Sequence, residues 1–163
     1  MTLPAGFKDP FMPHTSDSRP GTKAHIAEVR RLLAKVLSGL ARRAILHDLS
    51  KLESPEVEHF DRAAFRLAGC AYGSAEYKSG LADLKPALDH HYAVNSHHPE
   101  HYPDGILGMD LVDLVEMIAD WQAASLRHAD GDIRVSIEIN QKRFGYSDEL
   151  KAIFLNTLPL LED

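Results

Sequence analysis

The chain has 163 residues, 44% of them apolar and 26% charged, with a net charge of −6 and one cysteine, Cys70. That length and apolar fraction suit a single folded domain. They exclude a disulfide framework and a membrane-spanning segment, since no apolar run approaches ~20 residues. The acidic balance speaks against stable nucleic-acid binding as a main role, and one free thiol with no signal-like N-terminus points to the cytoplasm.

Residues 1–21 carry Pro4, Pro10, Pro13 and Pro20 with little periodicity and read as an N-terminal arm. A single helical domain is expected over 22–163. Thr22 can cap a first helix that Gly39 would stop, with Ile26, Val29, Leu33, Val36 and Leu40 as one buried stripe. His25 lies beside that stripe. Taken alone it is a packed helix-start histidine more often than a ligand.

A second helix is expected from Leu40 to Leu52. It contains Ala44-Ile45-Leu46-His47-Asp48-Leu49-Ser50-Lys51, in which imidazole and carboxylate stand side by side. One nitrogen and one oxygen donor from adjacent positions suit a borderline divalent metal if other ligands arrive from elsewhere. Arg42 and Arg43 read as a solvated face. Ser54-Pro55-Glu56 has the chemistry of a helix start, with acid in the first turn. The third helix should turn Val57, Phe60, Ala64 and Leu67 inward and leave His59 at the surface.

After a looser tract, Pro86 starts a helix expected to reach Pro99. Within it, His90-His91 and His97-His98 lie seven residues apart, close to two helical turns. His91 with His98, or His90 with His97, would then share a face. Spacing does not decide between the pairs; the first is preferred, with Asn95 between its members. Pro99 to Gly108 reads as a loop with a turn at Asp104-Gly105. Asp110 can cap a helix over 111–129, apolar around most of its circumference and therefore expected to be central. Asp113, Glu116 and Asp120 lie along one side of it. Asp113 suits the cap and Glu116 an arginine partner. Asp120, in mid-helix, needs a cation or a metal if it is buried. Ile133–Phe144, closed by Gly145, and a last helix capped by Ser147 complete an all-α chain.

The order His25, His47-Asp48, Asp120 resembles the HD-domain superfamily of metal-dependent phosphohydrolases over about residues 22–130. The tract His47-Asp48-Leu49-Ser50-Lys51 is similar to the His-Asp-x-Gly-Lys of its cyclic-dinucleotide phosphodiesterases, with Ser50 in place of glycine. His97-His98-Pro99-Glu100 and Asp104-Gly105 also have counterparts there. Ile106-Leu107 stands where that branch has Tyr-Pro, which departs from its substrate pattern. A nearer resemblance is to small phage and bacterial proteins of unassigned function. They carry His-Asp-x-Ser-Lys and the arrangement His90-His91, Asn95, His97-His98.

The superfamily resemblance implies a helical bundle around one or two divalent transition metals (Fe, Mn, Co, Ni or Zn). His25, His47, Asp48 and Asp120 would hold the first, and His91 and His98 a second bridged by Asp48. It implies an enzyme that hydrolyses a phosphate ester or anhydride of a nucleotide through metal-activated water. Asp48, Lys51 and Glu100 would act in catalysis, and Lys51 and Asn95 would contact substrate. A cytoplasmic protein, bacterial or in a host if phage-encoded, is expected, and a homodimer is compatible with it. The alternatives are an HD-fold di-iron oxygenase and a non-catalytic interaction protein with a structural metal.

Overall fold

A computed structural model describes residues 17–67, 83–127 and 131–161. Among these residues every regular element is helical and no strand occurs, so the chain is all-α as expected. The helices are α1 (Arg19–Leu46), α2 (Glu56–Leu67), α3 (Lys85–Val94), α4 (Leu111–Ser125), α5 (Ile133–Phe144) and α6 (Asp148–Thr157). Single 3₁₀ turns lie at Leu49–Leu52, Pro99–His101, Gly105–Gly108 and Leu158–Leu160. No helix among the described residues is long and apolar enough to cross a membrane. The expected N-terminal arm falls largely outside the described residues.

The chain divides into two compact units, Met1–Leu37 and Ser38–Asp163, with the boundary inside α1. Two expectations fail here. Gly39 does not stop the first helix, which runs unbroken to Leu46. A helical glycine costs only ~1 kcal/mol against alanine, and Leu40-Ala41-Arg42-Arg43-Ala44 propagates a helix well. Nor is the stripe on α1 buried: Ile26, Val29, Leu33 and Val36 are all exposed.

The second unit has its core where α4, α5 and α6 meet. Met117, Ile118, Ile133, Ile137, Tyr146, Phe154 and Leu158 form one buried cluster. Local chemistry sets these helices. Asp132 caps α5 by accepting from the Arg134 amide at 2.8 Å. Gly145 closes α5 at φ 68°, a left-handed conformation that glycine adopts without strain. Ser147 then caps α6. Tyr146 donates its hydroxyl to the Ile137 carbonyl at 2.6 Å, and burial pushes its phenol up to about 12. Trp121 meets Phe154 edge-on at 5.9 Å. Replacing Phe154 by alanine is expected to cost about 3–5 kcal/mol. Chemical denaturation measures this, and a loss below ~1 kcal/mol would show that the ring is not a core anchor.

α4 is less enclosed than its composition suggests. Met117 and Ile118 are buried, but Leu111, Val115 and Ala119 are exposed, so it is amphipathic rather than central. On α2 the inward alanine is Ala63, one position before the expected Ala64, which is exposed. α2 packs against α3, and the Leu49–Leu52 turn packs against both. This small assembly positions the site.

Candidate metal centre

The site starts where α1 ends. The His47 amide still bonds the Arg43 carbonyl at 2.8 Å, which carries the helical path to His47. Asp48 then takes φ 57°, ψ 12°, the left-handed conformation. Aspartate tolerates that region better than most residues, though at some cost. The reversal turns the chain into the next 3₁₀ turn, and Lys51 returns to Asp48, its Nζ 2.5 Å from Oδ2. His47 and Asp48 therefore face inward together.

Three groups of potential ligands meet here: Asp48 with His91, His97 and His98; His47 with Asp48 and Asp120; and His47 with His97 and Glu116. Within each group the donor atoms lie within 4.8 Å of one another. Asp48 joins the first two. Its Oδ1 is 3.3 Å from His91 Nε2 and 3.5 Å from His97 Nε2, and its Oδ2 is 3.6 Å from His47 Nε2. His47 Nε2 is also 3.5 Å from Asp120 Oδ1, and His91 Nε2 is 2.9 Å from His98 Nε2.

Behind the histidines stand two glutamates. Glu56, fully buried at the start of α2, lies 3.0 Å from His91 Nδ1 and 2.7 Å from His90 Nδ1. Glu116 on α4 lies 2.9 Å from His47 Nδ1 and 3.2 Å from His97 Nδ1. Each carboxylate takes the Nδ1 side of its rings, which leaves Nε2 of His47, His91 and His97 toward the centre. That is the carboxylate–histidine arrangement that orients metal ligands and fixes their tautomer. Arg43 in turn donates to Glu116 at 3.2 Å and to Asp113 at 2.6 Å, so it is not the solvated residue that its helix position suggested. Glu116 has the arginine partner expected of it. Asp113 completes a capping box with Asp110 and also accepts from Ser96 and Tyr102.

The residues fit a cation. Among the described residues, Asp48 Oδ1 and His97 Nε2 are buried and lack a hydrogen-bond partner. Buried polar atoms of this kind are rare in a folded protein because each costs stability. Here the two are 3.5 Å apart in a group of one carboxylate and three imidazoles, the donor set that borderline divalent ions prefer. The electrostatics agree. Burial works to raise the Asp48 carboxyl, yet the neighbouring His91 ring and the Lys51 ammonium hold it well below the usual carboxylate range. Burial pushes His98 down to about 3 and lowers His97, so both rings are neutral, as metal ligation requires. Asp120, followed by Glu116, raises His47 to about 9 against the opposing effect of burial.

The expected residues fall into three sets. His47, Asp48, His91, His98 and Asp120 come together, with Lys51 on Asp48. Asn95 sits beside them, its amide 2.9 Å from Ser50 Oγ and 3.0 Å from His91 Nδ1. His25 lies in the N-terminal unit and Glu100 accepts from Arg143 at 2.5 Å; neither belongs to any of the three groups. His91 and His98 meet, their Nε2 atoms 2.9 Å apart, but not across two turns of one helix as expected. α3 ends at Val94, and His97 and His98 lie in the following turn. The helix ends at Asn95, whose backbone amide and side-chain amide both donate to the His91 carbonyl at 2.9 Å, while the Tyr92 carbonyl, the acceptor that continuation would use, pairs with His101 Nδ1 at 2.8 Å. Freed from helical phase, both His97 and His98 can face Asp48.

Sequence reasoning kept His97 only as the alternative paired with His90, and missed Glu56 and the role of Glu116 at this site. An asparagine followed by serine ahead of a histidine pair was the available signal for His97, since those residues favour leaving a helix.

A cleft of about 400 Å³ adjoins the centre between the C-terminal part of α1 and α4. Leu40, Ala44, Val115, Ala119 and Ala123 give it apolar walls, and His47, Glu116 and Asp120 line the same cleft. A second cleft brings Arg42 and Arg43 together with Ser50 and Asn95.

The pattern of one protein family, described as a family of unknown function (DUF5662), matches residues 14–160. No curated protein and no solved structure matches the chain.

Proposed function

The chain belongs to the DUF5662 family, a family of unknown function, and from the geometry of the site we propose a metal-dependent phosphohydrolase of HD-like architecture acting on a nucleotide or related phosphate ester. The observation that carries the metal is the pair of buried, unpartnered atoms Asp48 Oδ1 and His97 Nε2 inside a ring of imidazoles. Asp48, His91, His97 and His98 would hold one divalent ion, and His47, Asp48 and Asp120 a second that shares Asp48. An ion held there supplies Lewis acidity and a bound water of lowered pKa.

The chain's own groups support the rest. Lys51 is about one-third exposed at its side chain, so it can neutralise Asp48 and still turn N–H groups to a phosphate oxygen. Asp120 and Glu116 sit on either side of the His47 ring and hold its proton or accept it. The apolar cleft beside His47 and Asp120 has room for the organic part of an ester.

The test is purified protein reconstituted separately with Mn, Fe, Co, Ni and Zn and assayed for phosphate release on a panel of nucleotides and simple phosphate esters. Release that requires metal and disappears in Lys51→Ala and Asp120→Ala supports the reading. Folded, metal-loaded protein inactive across the panel would overturn it. Oxygen consumption by the iron form would direct the assignment to oxygenase chemistry.

One consequence is open to calorimetry. His47 keeps its proton up to about 9 in the metal-free protein, and a ligating imidazole must lose it. Metal binding at pH 7.5 is therefore expected to release about one proton, read from the dependence of the binding heat on buffer ionisation enthalpy. No release would place His47 outside the ligand set.

A further inference from the structure

We propose that Asp113 is a positioning residue of the metal centre, its buried carboxylate tying together the chain segments that carry the ligands. This role presupposes the metal centre but not phosphate hydrolysis. Asp113 is 1% exposed and stands in the first turn of α4. The capping box there asks one bond of its carboxylate, from the Asp110 amide to Oδ2 at 3.1 Å. Three further donors converge on the same group. Arg43 Nη2 and Ser96 Oγ donate to Oδ1 at 2.6 and 2.7 Å, and the Tyr102 hydroxyl donates to Oδ2 at 2.7 Å. Each oxygen therefore holds two donors.

These donors and their acceptor stand close in sequence to the ligands. Arg43 is one helical turn before His47, whose amide bonds its carbonyl. Ser96 immediately precedes His97 and His98, and Asp113 lies about two turns of α4 before Asp120. One carboxylate thus fixes the end of α1, the turn after α3 and the start of α4 against one another. Arg43 extends the tie. Its Nη1 donates to Glu116 Oε2 at 3.2 Å, and Glu116 Oε1 lies 2.9 Å from His47 Nδ1. Tyr102 is held in turn by Gly108, where an added Cβ would come 2.7 Å from the Tyr102 Cβ. Packing alone does not call for a carboxylate here, since an apolar group of similar volume is often as stable as a buried ion pair. What the charge adds is direction, through short charge-assisted bonds. Burial works against the charged form, but the bonds from Tyr102, Ser96 and the Asp110 amide hold the Asp113 carboxyl below its usual value. It is therefore ionised and grips the Arg43 guanidinium. Metal ligands hold an ion well only when placed to within about 0.5 Å, so the tie bears on affinity.

The test is a cobalt(II) titration of the full chain, read by the visible bands of the bound ion, for wild type, Asp113→Asn and Phe154→Leu. Phe154→Leu lowers stability from the apolar core and leaves every group of potential ligands intact. Asp113→Asn keeps the shape but turns an N–H₂ toward two donors. It should bind cobalt about 10-fold more weakly or worse and shift the bands, because the ligands are no longer held in place. Phe154→Leu should match wild type in both. Folded Asp113→Asn with affinity within about twofold of wild type and unmoved bands would overturn the role, and so would an equal loss in Phe154→Leu. If Asp113→Asn does not fold, Tyr102→Phe decides, since it removes one donor and keeps the ring. A weaker site with moved bands supports the role; wild-type affinity and bands overturn it. Wild type that takes up no cobalt would overturn the metal centre itself, and this role with it.

Discussion

Asp48→Ala is expected to empty the whole centre, with metal per chain falling from one or two equivalents to near zero by elemental mass spectrometry. The size of the effect follows from geometry. Asp48 is the only residue shared by the four-ligand group and the His47–Asp120 group, with Oδ1 toward His91 and His97 and Oδ2 toward His47 and Lys51. Removing it takes the only carboxylate from the first group and one of three ligands from the second. The fold should survive, because the apolar core of α4, α5 and α6 contains none of these residues. Alanine takes the left-handed conformation of position 48 less readily than aspartate, a backbone cost of ~1 kcal/mol. Phosphate release, if the proposed activity is right, should fall at least 1,000-fold. Asp48→Asn separates charge from shape: asparagine also accepts the left-handed conformation at this position. It should fold as wild type and still bind metal poorly. Full metal content in either variant would remove Asp48 from the ligand set.

Neutralising the glutamates behind the rings is the second large effect. Glu56→Gln and Glu116→Gln should each weaken metal binding about 10–100-fold without touching a ligand atom, the usual loss when such an outer partner is removed. Burial disfavours the Glu56 carboxylate, but the hydrogen bonds from His90, Ser50 and His91 hold its carboxyl below the usual value, so it stays ionised and fixes the His91 tautomer. A glutamine can present its amide N–H to Nδ1 and so favour the opposite tautomer, which would place the His91 proton toward the centre. Glu116→Gln disturbs two rings and also the Arg43 pair, so it should lower thermal stability as well. Competition titration against a chromophoric chelator measures both constants. Affinity within twofold of wild type would mean that the rings are oriented by packing alone.

The ends of the site were legible in the sequence. His47-Asp48 stands next to an apolar helical run, and Asp120 lies in mid-helix, where a carboxylate needs a partner. Those two features located one group of potential ligands, His47, Asp48 and Asp120. His91 and His98 were paired through an assumed continuous helix, and they do meet, although the helix stops at Val94. Glu56 looked like an ordinary acid of a first helical turn, because nothing in that turn shows that α3 packs over it.

Helical class, the caps Asp110 and Ser147, and the stop at Gly145 were determined by the sequence alone, because each depends on residues within one turn of chain. Only the tertiary structure decided which groups share the centre. The contacts of Asp48 with His91 and His97, and of Glu116 with His47 and His97, join residues 43 or more positions apart, or 19 along a folded return. No local rule reaches that far. The same holds for the stripe on α1: its spacing predicts a buried face, whereas Ile26, Val29, Leu33 and Val36 are exposed, because burial depends on packing that no local pattern records.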